Sequence, residues 1–271
     1  MSVLERIVEQ KRRELEARRA RRPLAAVHTA AGCAPAARDF RRALAAPGLG
    51  VVAEIKRRSP AKGDLRTDLD PAALARRYEA SGASALSVLT DEPYFLGCDD
   101  DLVAARVSVG LPVLRKDFLV DPYQLYESRA LGADAVLLIV RSLPGSLLAE
   151  LLALAEQLGL AALVEVHDEA ELQRAVEAGA DLIGVNNRNL DTLEVDPETS
   201  LRLRPLIPDG TTTVSESGIG SPALAKRLAV VGYDAILVGE ALVTARDPAA
   251  LLEQLRRAGP PASVNLGGAG R

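Results

Sequence analysis

From residue 51 onward the chain repeats one phrase, a short apolar run followed by a segment of helical length. The runs are Val51–Ile55, Ala85–Leu89, Pro112–Leu114, Ala135–Val140, Ala161–Val164, Leu182–Val185, Thr212–Val214 and Ala235–Val238. Most are continuous rather than alternating, as expected of strands buried on both faces of a parallel sheet. Asp70-Pro71, Asp121-Pro122 and Asp196-Pro197 supply a capping carboxylate and a first-turn proline to the segments between. Gly82, Gly132, Gly179 and Gly232 stand where those segments end, just before the next run. Eight such units predict an α/β protein, a (β/α)8 TIM barrel. An open doubly wound sheet is the alternative. The count of eight disfavours it, and so does the missing G-x-G-x-x-G turn after the first run.

At 271 residues the chain suits one barrel. Residues 1–50 read as an N-terminal helical extension packed on the barrel, with Val3, Leu4, Ile7, Val8 and Leu15 on one stripe and a second helix over Ala36–Ala46. Residues 51–258 form the barrel, and 259–271, Gly-rich toward the end, are expected to be a disordered tail. A net charge of −4 argues against general nucleic-acid binding. No apolar run reaches membrane-span length, and Met1–Arg6 does not read as a signal peptide. Cys33 and Cys98 show no metal-type spacing with His28 or His167, so no metal site is expected. Reduced, inert thiols and a cytoplasmic location follow. Nothing marks an oligomer interface, and a monomer is expected.

In such barrels the chemistry gathers where strands run into the following loops. Those positions hold Glu54 and Lys56, Thr90 and Asp91, Lys116 and Asp117, Arg141, Glu165, Asn186 and Arg188, Ser215–Gly218, and Gly239-Glu240. Alternation puts Glu54 with Lys56, and Lys116 with Phe118, on shared faces. An inward face would bring Glu54, Lys56, Lys116, Glu165, Asn186 and Glu216 into one pocket. Of 33 basic residues only Lys11, Lys56, Lys62, Lys116 and Lys226 are lysine. Arginine stays protonated, whereas a pocketed lysine can give or take a proton. Lys56 and Lys116 therefore look chosen for chemistry; Lys11, Lys62 and Lys226 read as surface charges. The bland alternative is a salt-bridge plug across the barrel mouth, which needs no lysine in particular and no phosphate turn. Two Gly-bearing turns, Ser215–Gly220 and Val238–Ala241, follow runs seven and eight, where barrels often hold a phosphate on backbone N–H groups.

The segment Glu54–Gly63 resembles the E-I-K-x-x-S-P-S-x-G signature of the indole-3-glycerol-phosphate synthase family. Leu86–Gly97, Leu114–Phe118, Leu163–His167, Gly184–Leu190 and Ser215–Ile219 match it too, and the likeness runs from about residue 2 to 258. The resemblance implies an enzyme, a carboxy-lyase without cofactor or metal. It would close the indole ring of 1-(2-carboxyphenylamino)-1-deoxyribulose 5-phosphate, a small phosphorylated substrate, in tryptophan biosynthesis. It implies Lys116 as the general acid toward the carbonyl, Glu165 as stabiliser of the cationic intermediate, and Glu54 with Lys56 for dehydration. Asn186, Glu216 and Ser217 would orient the substrate, and Arg188 would meet its carboxylate. Ser59, Gly218, Gly239 and the Glu240 backbone would bind phosphate; Pro60, Phe95 and Phe118 would bed the aromatic ring. Protonating a carbonyl near neutrality calls for a lysine with a lowered pKa.

Ala61 stands where the signature commonly has Ser, and Glu240 stands where some members of the family have Ser, so the Glu240 carboxylate must turn away from a phosphate. Phosphoribosylanthranilate isomerase, a rival barrel, resembles a chain with Cys after strand one and Asp after strand six; here those positions hold Glu54 and Asn186. A non-catalytic barrel would be expected to have lost one of Glu54, Lys56, Lys116 or Glu165.

Overall fold

Eight parallel strands close on themselves: β1 (Gly50–Ile55), β2 (Ala85–Leu89), β3 (Val113–Lys116), β4 (Ala135–Ile139), β5 (Ala161–Val166), β6 (Leu182–Asn186), β7 (Thr212–Glu216) and β8 (Ala235–Val238). In this computed structural model, which describes residues 2–259, β1 pairs with β8 through Val51↔Ile236 and with β2 through Val52↔Ala85. The predicted tail beyond Gly259 lies outside the described residues.

Several strands run further than their apolar runs. Lys116, Glu165, Asn186 and Glu216 lie inside β3, β5, β6 and β7 rather than in the loops behind them. Pairing on both sides holds Glu165 and Glu216 in their strands, and pairing with one neighbour, β2 and β7 respectively, holds Lys116 and Asn186. The fourth run stops one residue early, because Val140 begins a short 3-10 turn through Ser142.

Before the barrel come α1 (Val3–Arg21), α2 (Leu24–Cys33) and α3 (Phe40–Leu44). The expected second helix over Ala36–Ala46 shrinks to α3, and α2 was not foreseen. Its signal was Pro23 ahead of an Ala-rich run. Leu4, Ile7 and Val8 of α1 join the barrel core, while Leu15 packs with Val27 of α2 and with Tyr123. After β1 come α4 (Pro71–Ala80), α5 (Glu92–Phe95), α6 (Asp99–Ser108), α7 (Pro122–Ala130), α8 (Leu147–Gln157), α9 (Glu169–Glu177), α10 (Glu198–Leu203), α11 (Pro222–Val230), α12 (Glu240–Thr244) and α13 (Pro248–Arg257).

The Asp70 carboxylate accepts from Ala72 N and Ala73 N, and Asp121 accepts from Tyr123 N, so both Asp-Pro pairs cap as predicted. Asp196-Pro197 differs by one place: Pro197 itself occupies the cap position of α10, and Asp196 accepts from Glu198 N. The glycines behind the helices take the left-handed conformation that returns the chain to the sheet, as Gly132 does at φ 85°. Among the described residues no helix is long and apolar enough to cross a membrane.

Candidate active site

The strand ends meet in one cavity of about 840 Å³ at the C-terminal mouth of the barrel. Glu54, Lys56, Ser59, Pro60, Phe95, Lys116, Phe118, Glu165, Asn186, Arg188, Glu216, Ser217, Gly218, Gly239 and Glu240 all line it. Thr90, Asp91 and Arg141 do not, although they too stand at strand ends.

Lys116 on β3 is the hub. Its Nζ lies 3.1 Å from Glu165 Oε2 on β5 and 3.1 Å from Glu216 Oε2 on β7. Both carboxylates are almost fully buried, whereas the lysine side chain keeps 13% of its surface exposed toward the cavity. A second pair stands on β1 and the loop after it, with Lys56 Nζ 2.5 Å from Glu54 Oε1. Alternation along β1 brings these two to the same face, as their spacing predicts.

The lowered lysine pKa expected from the chemistry is not what the cavity produces. Burial would push Lys116 down, but Glu165, Glu216 and Glu54 outweigh it and hold the ammonium above its ordinary range. Burial likewise opposes the charge on Glu165, and there Lys116 and His167 win, keeping the carboxyl below the usual carboxylate range. At Glu216 burial prevails, reinforced by the nearby charges of Glu165 and Glu54, and its pKa rises despite Lys116. One ammonium between two buried carboxylates cannot satisfy both equally. Glu216 Oε1 is buried without a hydrogen-bond partner among the described residues.

Phe95 and Phe118 face each other across one side of the cavity, ring centroids 6.1 Å apart. Ser59 and Pro60 sit in a small hairpin after β1 whose paired residues are Arg58–Ser59 and Gly63–Asp64. Arg188 follows β6; its guanidinium donates to Leu193 O at 2.8 Å. The Asn186 amide oxygen accepts from Arg188 N at 3.0 Å, which ties that loop to the strand. Ser217 has φ 66° and Gly218 φ 76°, so the turn after β7 is left-handed at two successive residues. Asn187 donates to Ser217 O at 3.1 Å and braces this turn.

The two Gly-bearing turns differ. After β8 the short helix α12 starts at once with Glu240, whereas α11 starts only at Pro222, its end already capped by Ser221. Turn residues Ser217–Gly220, not that helix end, therefore face the cavity. The Glu240 carboxylate reaches toward Lys62 Nζ at 3.9 Å and Arg188 Nη2 at 4.0 Å. Its side chain thus has cations to turn to.

Lys11 is not the surface charge it was read as. It is 4% exposed, with Nζ 2.8 Å from Asp91 Oδ2 and 3.0 Å from Asp117 Oδ1. Asp117 also takes Thr90 Oγ1 at 2.6 Å and the fully buried Arg115. The network clasps α1 to the loops behind β2 and β3, directly beside Lys116. No periodicity signals it, because its partners are far apart in the chain. His167 and Asn187 were also missed as site components; Asn187 adjoins Asn186, and His167 stands two residues beyond Glu165.

A closed (β/α)8 barrel with buried acid–base side chains gathered at its C-terminal mouth defines a TIM-barrel enzyme. The barrel aligns with the crystal structure of 3-hexulose-6-phosphate synthase from Salmonella typhimurium at a TM-score of 0.63 and 16% identity, covering 78% of this chain and 98% of that one. That likeness speaks to fold alone. The chain belongs to the indole-3-glycerol phosphate synthase family, whose sequence model matches residues 4–255. It is 51% identical to the indole-3-glycerol phosphate synthase of Parafrankia sp. (strain EAN1pec) over 259 residues, 96% of this chain and 97% of the relative. With the Rhodococcus opacus (strain B4) protein of the same name it is 50% identical over 259 residues, 96% of each.

Proposed function

We propose that the chain is a carboxy-lyase that turns 1-(2-carboxyphenylamino)-1-deoxyribulose 5-phosphate into indole-3-glycerol phosphate in tryptophan biosynthesis. The observation that carries this reading is Lys116 held between Glu165 and Glu216 in the same cavity as the Lys56–Glu54 pair. A volume of about 840 Å³ suits a phosphorylated small molecule with one aromatic ring.

The aromatic carbon attacks the ribulose carbonyl, a C–C bond forms, and the oxygen takes a proton from Lys116. An ammonium held above its ordinary pKa is fully loaded near neutrality, and a developing alkoxide is basic enough to draw that proton. Glu165, held ionised, faces the positive charge left as an iminium conjugated with the dearomatised ring until carbon dioxide departs and aromaticity returns. Dehydration then needs an acid for the leaving hydroxyl and a base for a carbon-bound proton. Lys56 and Glu54 stand within one hydrogen bond of each other and supply that pair. Asn186, Glu216 and Ser217 orient the substrate, Arg188 meets the carboxylate before it leaves, and Pro60, Phe95 and Phe118 bed the ring. Ser59 and the backbone at Gly218, Gly239 and Glu240 receive the phosphate, while the Glu240 side chain stays with Lys62 and Arg188. A cytoplasmic location fits the two free thiols, Cys33 and Cys98, and the chain is taken to act as a monomer.

The test is the appearance of indole fluorescence when purified protein meets the carboxyphenylamino-deoxyribulose phosphate with nothing else added. Absence of any turnover would overturn the reading.

A further inference from the structure

Behind Glu165 the cavity wall holds a second, outward-running line of charge. His167 follows two residues later on the same face of the chain and is buried, at 8% exposure. Its Nε2 lies 3.4 Å from Glu165 Oε1 and has no hydrogen-bond partner among the described residues. Its Nδ1 lies 2.9 Å from Glu171 Oε2 at the start of α9, and that oxygen also accepts from the His167 main-chain N–H. The other oxygen of Glu171 takes Arg141 Nε at 2.6 Å, and Arg141 continues to Asp168 and Asp191. Arg141, like Asp91, is a strand-end charge that the cavity left out.

Glu165 is thereby divided: Oε2 faces Lys116 and Oε1 faces His167. We propose that His167 is a positioning residue, an imidazolium that holds Glu165 ionised and fixes which of its oxygens meets the reacting centre. The proposal rests on the reaction assigned above. An imidazole between two carboxylates must donate from both ring nitrogens to satisfy both, and only the protonated ring can. Burial disfavours that charge, but Glu165 and Glu171 outweigh it and lift the pKa of His167 to about 9. The charged groups facing this cluster are Lys116 and Glu216 on the cavity side and Arg141, Asp168 and Asp191 on the outer side.

His167→Gln tests this, because it keeps a donor of similar reach and removes the charge. Glu171 retains Arg141 and the main-chain N–H of residue 167, so no carboxylate is orphaned. Loss of one charge-assisted contact should lower kcat about ten- to hundredfold with KM within about twofold. In the variant Glu165 should keep its proton to higher pH, read from the titration of its carboxyl ¹³C signal, since no imidazolium then opposes protonation. A purely structural role would not move that titration, and wild-type kcat with an unmoved Glu165 titration would overturn the proposal. Ring ¹⁵N NMR on the wild-type protein needs no variant to fold, and only His28 and His167 contribute. At pH about 7.5, above the ordinary imidazole range, His167 should still be doubly protonated; a neutral ring there would equally overturn the proposal. The two readings separate cleanly: a wild-type protein without turnover refutes the assigned reaction, whereas the ring signals report on His167 regardless.

Discussion

Gly184 on β6 vacates the space that the Glu216 carboxylate occupies. A Cβ built on Gly184 would collide with Glu216 Oε1, and would also press Leu163 Cδ1 at 3.1 Å. The glycine's φ is unremarkable; what matters is the missing methyl. Gly184→Ala must therefore displace the Glu216 carboxylate from the place it holds beside Lys116. Kinetics should show kcat down about a hundredfold, as expected for displacement of a catalytic group by about 1 Å, with the far-UV spectrum unchanged. Wild-type kcat would show that Glu216 can move without consequence.

Lys116 is open to a sharper test than removal. Lys116→Met should cost at least about a hundredfold in kcat, the usual worth of a positioned acid. Lys116→Arg keeps the charge between Glu165 and Glu216, but a guanidinium does not release its proton. An active Arg variant would reduce Lys116 to an electrostatic role.

The alkaline side of the rate profile should report on the same cluster. Burial lowers the pKa of Lys116, while Glu165 and Glu216 raise it beyond the ordinary lysine range. Glu165→Gln removes the anion 3.1 Å away, so the alkaline limb of kcat/KM should move to lower pH. An unchanged limb would mean that the two groups do not titrate together.

Gly239 was expected to serve phosphate alone. A Cβ there would instead strike the Glu54 carboxylate, whose Cδ lies 2.8 Å from its position. Gly239→Ala should thus depress kcat through Glu54. Gly218→Val, at φ 76° in the turn after β7, should chiefly raise KM. Steady-state kinetics on the two variants separates these effects; the reverse pattern would misplace the phosphate.

Lys11→Met strips the buried Asp91 of its cation, leaving it only the Tyr94 main-chain N–H, and takes one of the cations from Asp117. Breaking a buried ion pair from one side costs about 3–5 kcal/mol, and urea unfolding should show a loss of that order. A change under about 1 kcal/mol, the range of exposed pairs, would mean that Lys11 contributes no more than the surface charge read from the sequence.

The barrel was legible because its signals are local. Apolar runs, Asp-Pro caps and closing glycines each act over a few residues, and the eight repeats reinforce one another. Strand ends were harder to place for the reason that makes them candidates for chemistry: Lys116, Glu165, Asn186 and Glu216 are polar, so the apolar pattern stops before the strand does. Helix α2 escaped because its Ala-rich stretch lacks a strong amphipathic stripe, with only Val27 and Ala31 buried.

By itself, the sequence determined the fold class, the list of chemical groups at the barrel mouth and, through its motifs, the family they resemble. Those are properties of residue type and short spacing. Only the tertiary structure decided the charge state of that list. Lys116 holds its proton because residues 49 and 100 positions away bring carboxylates to 3.1 Å, reversing the effect of burial alone. Lys11 is buried for the same reason, since Asp91 and Asp117 approach it across the joint between α1 and the barrel. Coulomb energy depends on distance in space and on the dielectric around the pair, and neither is written in sequence separation.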